Sequence, residues 1–196
     1  MQRAIAALFA ASTLAAFATA PVGQPAPAFT VTDLNGKPVS LADYKGKTVV
    51  LEWHNFECPF VKKHYRSGNM QSLQKKYAND VVWLAVNSTS RNSYDYEEPV
   101  KISSQLKAAD AAPARYLMDD PGVMGRAYGA KTTPHMYIID PSGKVVYNGA
   151  IDDKRSTDVA DVKTARNYVV AALDEMKAGK AVSVTSTAPY GCSVKY

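Results

Sequence analysis

The chain has 196 residues and a formal net charge of +5, from 23 basic and 18 acidic side chains. Hydrophobic residues make up 46% of it, and it contains 11 glycines, 11 prolines and two cysteines. This composition excludes a disordered chain, a collagen-like repeat and a disulfide-rich miniprotein. A chain of this length can bury one sizeable core. Because the basic residues are spread along the chain, the charge does not predict a nucleic-acid partner.

The N-terminal segment has the layout of a secretory signal peptide. Arg3 precedes an almost uncharged run over Ala4–Phe17, and small residues follow. We expect cleavage after Ala18, because the alternative cut after Ala20 would leave Pro21 at the new N-terminus. The other interpretation is an uncleaved membrane anchor, for which the run is short and rich in alanine. The pattern therefore predicts a periplasmic or secreted protein, in an oxidising compartment where two cysteines are expected to have a role.

The first half of the mature chain predicts strands alternating with helices. In chain order these are a hairpin of Ala28–Asp33 and Lys37–Ser40 around Asn35-Gly36, a helical turn at Leu41–Tyr44, a buried strand at Thr48–Trp53, a helix over Pro59–Tyr77 that is broken at Ser67-Gly68, and a buried strand at Asp80–Asn87. Strands with nearly continuous apolar residues are typical of the centre of a sheet.

The second half continues the alternation and closes with a hairpin and a helix. The predicted elements are a helix at Glu97–Ala109, a strand at Tyr116–Met118, a helix at Pro121–Tyr128, strands at His135–Asp140 and Lys144–Ile151, and one long helix at Asp158–Ala178. We therefore predict an α/β fold with a central mixed sheet flanked by helices and an N-terminal β-hairpin extension. Residues 19–180 would form one domain, followed by an unstructured C-terminal tail over 181–196.

Cys58 is the strongest candidate for a reactive group. It comes shortly after the strand Thr48–Trp53 and directly before Pro59 and a helix. The N–H groups and the dipole at a helix N-terminus stabilise a thiolate, which is the nucleophilic form of cysteine. Lys62, one turn along, adds positive charge, whereas Glu57 opposes it. The alternative is a buried structural cysteine.

Several segments of the chain resemble the thioredoxin-like superfamily. They are Trp53–Lys62 (Trp-His-Asn-Phe-Glu-Cys-Pro-Phe-Val-Lys), Tyr128–Asp140 (Tyr-Gly-Ala-Lys-Thr-Thr-Pro-His-Met-Tyr-Ile-Ile-Asp) and Ala28–Leu51. Cys-Pro-Phe-Val-Lys at 58–62, Ala-Val-Asn-Ser at 85–88 and Gly-Cys-Ser-Val-Lys-Tyr at 191–196 are similar in particular to its peroxiredoxin-like branch, the alkyl hydroperoxide reductase/thiol-specific antioxidant (redoxin) proteins that bacteria export. The resemblance implies a thioredoxin-like fold and thiol redox chemistry.

The resemblance also implies roles for individual residues. Cys58 matches the nucleophilic cysteine, and Pro134, after Thr133, matches the cis-proline that faces it and presents the preceding backbone to a substrate. Glu52 matches the buried acid that relays protons in thioredoxins, and His64 falls where related reductases carry an acid on the active-site helix. The alternatives are an ordinary trans turn at Pro134, a strand residue at the sheet edge for Glu52, and a solvated helix-face histidine for His64.

The sequence departs from both family patterns near Cys58. A thioredoxin would have its second active-site cysteine at Val61. A peroxiredoxin would have Pro and Thr or Ser, which hold the peroxide, at Leu51 and Asn55. Asn55 could still donate a hydrogen bond, but the motif does not support peroxide activation.

Cys192 and His135 leave four interpretations open. Cys192, in the tail beyond the last predicted helix, would be a resolving cysteine if the exposed Gly191 hinge lets it swing to Cys58. Alternatively it forms a permanent disulfide with Cys58 or pairs with another protein. In a function of another class, Cys58, His135 and Cys192, with Met136 nearby in sequence, would be soft ligands for copper.

Together these patterns predict an exported thiol-disulfide oxidoreductase with no cofactor. Cys58 would be its nucleophile and Cys192 its possible resolving cysteine, supported by the other residues singled out above. Its substrates would be protein thiols or disulfides, or peroxide, and a reducing thiol protein would be its partner. The alternatives are a thiol-dependent peroxide reductase, which would be an antioxidant, and a copper-binding or redox-silent module.

The basic cluster Lys62–Arg66 is expected to be a solvated helix face. Nucleic acid is not expected as a partner, and the only expected membrane contact is the signal segment if it is uncleaved.

Overall fold

The structure is a computed structural model that describes residues 20–196, so the predicted signal peptide lies outside the described residues. The strands are β1 (Thr30–Asp33), β2 (Pro38–Ser40), β3 (Thr48–Trp53), β4 (Val81–Asn87), β5 (Arg115–Met118), β6 (Thr132–Thr133), β7 (His135–Ile139), β8 (Val145–Gly149) and β9 (Cys192–Ser193). The α-helices are α1 (Pro59–Arg66), α2 (Asn69–Tyr77), α3 (Pro99–Ala108), α4 (Val123–Tyr128) and α5 (Tyr168–Lys177), and short 3-10 helices cover Leu41–Tyr44 and Val159–Lys163.

The central sheet is mixed, which confirms the predicted fold class. Its strand order is β2-β1-β5-β4-β3-β7-β8. Strands β3, β4 and β5 run parallel, whereas β7 and β8 complete one side in antiparallel pairing and the predicted hairpin β1–β2 forms the other edge. Strand β3, which leads to Cys58, therefore lies in the interior of the sheet between β4 and β7.

Strand β3 is buried on both faces, as its apolar sequence predicts. Because strand side chains alternate, Val50 packs into one core with residues of α1, α2 and α5. Val49, Leu51 and Trp53 pack into the opposite core, which includes Tyr128 of α4. Cys58 is thus connected to a strand that is held firmly from both sides. Among residues 20–196, no helix is long and apolar enough to cross a membrane.

The helix predicted over Pro59–Tyr77 is broken where the sequence indicates. Helix α1 ends at Arg66, and Gly68 precedes α2 with a φ of 72°. This left-handed conformation favours glycine, because a Cβ would be strained there. The break lets α1 and α2 turn relative to each other, so both pack on the same face of the sheet.

The single helix predicted over Asp158–Ala178 is wrong. The structure has a 3-10 helix at Val159–Lys163, and α5 begins only after Asn167. Each helix has its own cap: the Asp158 carboxylate accepts the N–H of Ala160 at 2.9 Å, and the Asn167 side chain accepts that of Val170 at 3.0 Å. Polar residues that cap a helix start stabilise a new N-terminus, and here they outweigh the continuous apolar spacing.

The prediction of an unstructured C-terminal tail over 181–196 is also wrong. The tail packs along the domain, forming a bridge between Ser186 and Asn148 and then strand β9, which pairs with β6. Tyr190 is buried, and the Tyr196 hydroxyl donates to the carbonyl oxygen of Ala130 at 2.8 Å. These contacts join residues that are far apart in sequence, so local periodicity does not reveal them.

Candidate active site

Cys58 lies directly before helix α1, at the end of the loop that follows β3. Pro59 is the first residue of the helix, and the backbone N–H of Lys62 donates to the Cys58 carbonyl oxygen at 2.9 Å. The Cys58 thiol donates to the carbonyl oxygen of Thr133 at 2.9 Å. Its position is the one that the sequence predicts. Cys58 is only 3% exposed, and Cys192 of the C-terminal tail packs against the core cluster that contains it.

The Thr133–Pro134 peptide bond is cis, and it stands opposite Cys58. Thr133 is the last residue of β6, and it pairs with Cys192 of β9. Thr133 therefore contacts both cysteine residues, through its carbonyl oxygen on one side and through strand pairing on the other. The fold thus brings together four of the residues that the sequence singled out.

The two cysteines are free thiols in contact with each other. Burial, together with the hydrogen bond and the charge interaction with Cys58, raises the pKa of the Cys192 thiol to about 12. Cys192 therefore keeps its proton near neutral pH. The geometry distinguishes the two sulfurs: Cys58 lies at a helix N-terminus, and Cys192 lies on an added strand.

A groove of about 450 Å³ opens over the two sulfurs. Its walls come from the loop before α1, the segment after β4, and the C-terminal tail. Besides the cysteines, its polar lining consists of Asn55, Glu57, Thr89, Tyr94, Asp95, Thr133, Ser193 and Lys195. Side chains of both signs of charge, Glu57, Asp95 and Lys195, line the groove.

Asn55 and Lys62 form contacts within the protein near this groove. The Asn55 amide donates to the Thr89 hydroxyl at 3.0 Å and to the carbonyl oxygen of Asp95 at 3.3 Å, and its oxygen accepts the N–H of Glu57 at 2.7 Å. Lys62 does not line the groove, and it pairs with the Glu57 carboxylate at 3.2 Å. Asn55 therefore holds the groove wall in place, and Lys62 contributes to the charge around it only through Glu57.

Glu52 is fully buried on β3, so its alternative placement at the sheet edge is wrong. Its carboxyl group accepts hydrogen bonds from the Tyr65 hydroxyl at 3.0 Å and from the Trp83 indole at 2.8 Å. Burial raises the pKa of Glu52 to about 7, against the opposing effect of these hydrogen bonds. Glu52 does not line the groove, and Tyr65 of α1 is its link to the helix that Cys58 precedes.

The expectation that Lys63 and His64 lie on a solvated helix face is wrong. Lys63 is 1% exposed and His64 is fully buried. Burial lowers the pKa of His64 to about 4, although Asp152 opposes the shift, so the imidazole is neutral at pH 7. His64 does not line the groove over Cys58 and cannot serve there as an acid.

These two residues belong to a cluster that we term the buried anchor: Lys63, His64, Asp152 and Tyr190. Lys63 Nζ donates to the carbonyl oxygen of Lys154 at 2.7 Å and lies 3.6 Å from Asp152 Oδ2. The Tyr190 hydroxyl donates to Asp152 Oδ1 and lies 3.4 Å from His64 Nε2. The buried anchor therefore ties α1 to the tail two residues before Cys192.

The sequence does not reveal Asp152 and Tyr190 as members of this cluster, and it wrongly predicts that Lys63 and His64 are solvated. One signal was available: Val61, His64 and Tyr65 have the spacing of a single buried helix face. That spacing indicates burial of His64. Neither helical nor strand periodicity indicates that Asp152 and Tyr190, in irregular segments, complete the cluster.

Of the proposed copper ligands, His135 does not join the two cysteines. His135 is buried, its Nδ1 accepts the backbone N–H of Lys131 at 3.2 Å, and its ring packs against Tyr137. Burial lowers the pKa of His135 to about 3. In the part of the chain that the structure describes, no three His, Cys, Asp or Glu side chains are grouped to hold a metal ion. Among residues 20–196, the geometry therefore does not support the predicted copper site of Cys58, His135 and Cys192.

Comparison with known proteins identifies relatives for most of the domain. A family model described as the AhpC/TSA family matches residues 22–148. The "Thioredoxin-like protein YneN" of Bacillus subtilis is 32% identical over 117 residues, which are 52% of this chain and 68% of that protein. The "Thiol-disulfide oxidoreductase ResA" of Bacillus thuringiensis subsp. konkukian is 30% identical over 132 residues, or 64% of this chain and 67% of that protein.

Solved structures have the same fold. An uncharacterized conserved protein from Geobacillus kaustophilus, 28% identical, superposes with a TM-score of 0.77 over 91% of this chain and 93% of its own. A putative thiol:disulfide interchange protein DsbE from Chlorobium tepidum, 26% identical, gives a TM-score of 0.54 over 66% of this chain and 85% of its own. The fold around the two cysteines is thus the thioredoxin-like fold.

Proposed function

Because the chain belongs to the AhpC/TSA family, we propose that it is a thiol-disulfide oxidoreductase with Cys58 as nucleophile and Cys192 as resolving cysteine. The observation that carries this proposal is the contact between two free thiols beside the carbonyl oxygen of Thr133. The similarity to proteins named thiol-disulfide oxidoreductases supports the same chemistry. This chemistry does not require a second cysteine at Val61, because the C-terminal tail contributes Cys192.

The reaction takes two exchanges. The Cys58 thiolate attacks one sulfur of a substrate disulfide, and the other substrate sulfur leaves and takes up a proton. The Cys192 thiolate then attacks the Cys58 sulfur, forming the Cys58–Cys192 disulfide and releasing the second substrate thiol. The protein gives up two electrons, and a reducing dithiol protein restores both thiols.

The raised pKa of Cys192 fits the second role. Part of the shift comes from the hydrogen bond and the charge interaction with Cys58. This part disappears once Cys58 is bonded in a mixed disulfide, so Cys192 loses its proton more readily when its attack is needed.

Reduction of peroxide is a second candidate, favoured by the family match. The structure offers little to hold a peroxide at the positions that the family uses. Leu51 is fully buried on β3, and the Asn55 amide already donates to Thr89 and Asp95. We therefore rank disulfide exchange first, and the test below includes a hydroperoxide.

Changing Cys192 to Ser is expected to trap the enzyme on its substrate. Without the resolving thiol, Cys58 can form a mixed disulfide with a disulfide-bonded protein but releases it about tenfold more slowly or worse. Non-reducing gels and mass mapping after addition of the substrate measure the trapped complex. Cys58→Ser is the matched control and should trap nothing.

Two results would contradict the proposal. The first is a complex that forms through Cys192 in the Cys58→Ser variant. The second is a wild-type protein that ignores protein disulfides but forms the Cys58–Cys192 bond with a hydroperoxide. The second result would establish the peroxide reductase instead.

We propose further that the chain is exported and cleaved after Ala18. The leader pattern supports export, and the packing of Ala20 supports this cut over the later one. Ala20 is 1% exposed, its N–H donates to the Tyr128 carbonyl oxygen at 3.4 Å, and its carbonyl oxygen accepts from Asn148 at 3.4 Å. N-terminal sequencing of the exported protein should begin at Thr19; a chain that keeps Met1 would contradict the proposal.

A further inference from the structure

The short strand β6 provides an edge to which an extended segment can pair. Thr132 pairs with Ser193, and Thr133 pairs with Cys192, in antiparallel register. The N–H of Val194 continues the pairing to the carbonyl oxygen of Lys131 at 3.1 Å. The tail thereby holds a cysteine opposite Thr133, whose carbonyl oxygen accepts the Cys58 thiol. The protein itself shows how a cysteine-containing strand reaches Cys58.

Gly191 sets a strict requirement on any segment in this place. Its φ is 143°, in the region that favours glycine, and a Cβ at this position would overlap the carbonyl oxygen of Thr133. That oxygen belongs to the backbone and already accepts the Cys58 thiol, so it cannot easily give way. An extended segment that pairs in this register therefore needs glycine immediately before its cysteine.

The tail is held more firmly on either side of this pairing than within it. The Tyr190 hydroxyl is fixed in the buried anchor, and the Tyr196 ring lies 4.6 Å from the Arg126 guanidinium. Between them, β9 is only two residues long, and Ser193 is exposed. The centre of the tail can therefore separate from β6 at a lower cost than its ends.

The resemblance already implies that a substrate meets the backbone before the cis-proline, which is strand β6. We propose that this docking edge selects an extended Gly-Cys segment of a partner protein, and that the C-terminal tail is a tethered competitor for it. The inference rests on the proposed function of Cys58. Strand addition supplies affinity through backbone hydrogen bonds, and the glycine requirement supplies specificity. Since β9 occupies β6 and Cys58 is only 3% exposed, a partner strand pairs with β6 only after β9 separates from it.

The competition links substrate release to chemistry. With the partner strand on β6, Cys58 attacks the disulfide that contains the partner's cysteine, and the other sulfur of that disulfide leaves as a thiol. When the tail returns to β6, it displaces the partner strand and brings Cys192 to the Cys58 sulfur. Attack by Cys192 then forms the Cys58–Cys192 bond and frees the partner's cysteine as a thiol. Because both ends of the tail stay attached, this return is intramolecular and fast.

Two synthetic peptides test the docking edge with the full chain. One carries the protein's own Pro-Tyr-Gly-Cys-Ser-Val-Lys-Tyr sequence as a mixed disulfide with a small thiol, and the other has alanine in place of glycine. We expect the alanine peptide to form the Cys58 mixed disulfide about tenfold more slowly, which corresponds to about 1.4 kcal/mol. Equal rates for the two peptides would overturn the docking edge.

Gly191→Ala tests the competitor while keeping both cysteines. The added methyl group should force β9 from β6, so the glycine peptide should react with Cys58 about tenfold faster than in the wild type. Gly179→Ala is the matched control, because Gly179 also has a positive φ but nothing within 4 Å of an added Cβ. A Gly191→Ala protein that reacts no faster than the wild type would overturn the competitor role.

The two proposals fail in different ways. If Cys58 forms mixed disulfides with both peptides at the same rate, the docking edge is lost and the oxidoreductase function stands. If Cys58 reacts with neither peptide nor with a protein disulfide, the proposed function fails, and the docking inference fails with it.

Discussion

Lys63→Met is expected to lower the free energy of unfolding by about 3–5 kcal/mol, because it leaves a buried carboxylate without its cation. Both the Lys63 and Asp152 side chains are almost fully buried, at 0% and 2% exposure, and their charged atoms are 3.6 Å apart. Because both side chains are buried, water cannot solvate the Asp152 carboxylate once the lysine charge is removed. Denaturant unfolding followed by tryptophan fluorescence measures the change, with the m-value as a check that the transition stays cooperative.

The neighbouring lysine gives a matched control. Lys62 has a side chain that is 36% exposed and pairs with Glu57, so Lys62→Met should cost less than about 1 kcal/mol. Adding Asp152→Asn to Lys63→Met should recover part of the loss, because the asparagine oxygen can still accept from Tyr190 and no charge remains buried. If Lys63→Met lowers the free energy of unfolding no more than Lys62→Met does, the charges of Lys63 and Asp152 are not as desolvated as the structure indicates.

Glu52→Gln is expected to remove a pH dependence of stability. The pKa of Glu52 is about 7 in the folded protein and 4.5 in the unfolded reference, so the folded state holds the extra proton between these values. Stability from this group is therefore highest at low pH and falls as the pH rises through 4.5 to 7. Between about pH 5 and about pH 8, the loss amounts to about 2–3 kcal/mol.

The variant should keep the local hydrogen bonds while losing the titration. The glutamine oxygen can accept from Trp83, and its amide can donate to the Tyr65 hydroxyl oxygen. Unfolding free energies of wild type and variant at several pH values give the comparison. Glu57→Gln is the control: interaction with Lys62 lowers the pKa of that exposed acid, so its small contribution has the opposite sign. A Glu52→Gln protein with the wild-type slope would place the titration on another group.

The local elements could be predicted from the sequence, because their signals lie within a few residues. Strand β3 has the predicted bounds, Thr48–Trp53, and the hairpin turn lies at Asn35-Gly36. The helix break falls at Gly68, and Cys58 stands before α1 as expected. Alternation, helical spacing and glycine at turns are short-range patterns, so they determine short-range structure without knowledge of the fold.

The tertiary structure decided which of the candidate residues meet. Four of them, Cys58, Thr133, Pro134 and Cys192, come together only because β9 pairs with β6, a contact between segments that no local pattern connects. The polarity of His64 predicts a solvated residue, but His64 is buried, because Asp152 and Tyr190 supply partners from distant segments. A polar side chain can be buried only where such partners exist, and the packed fold alone determines where they are.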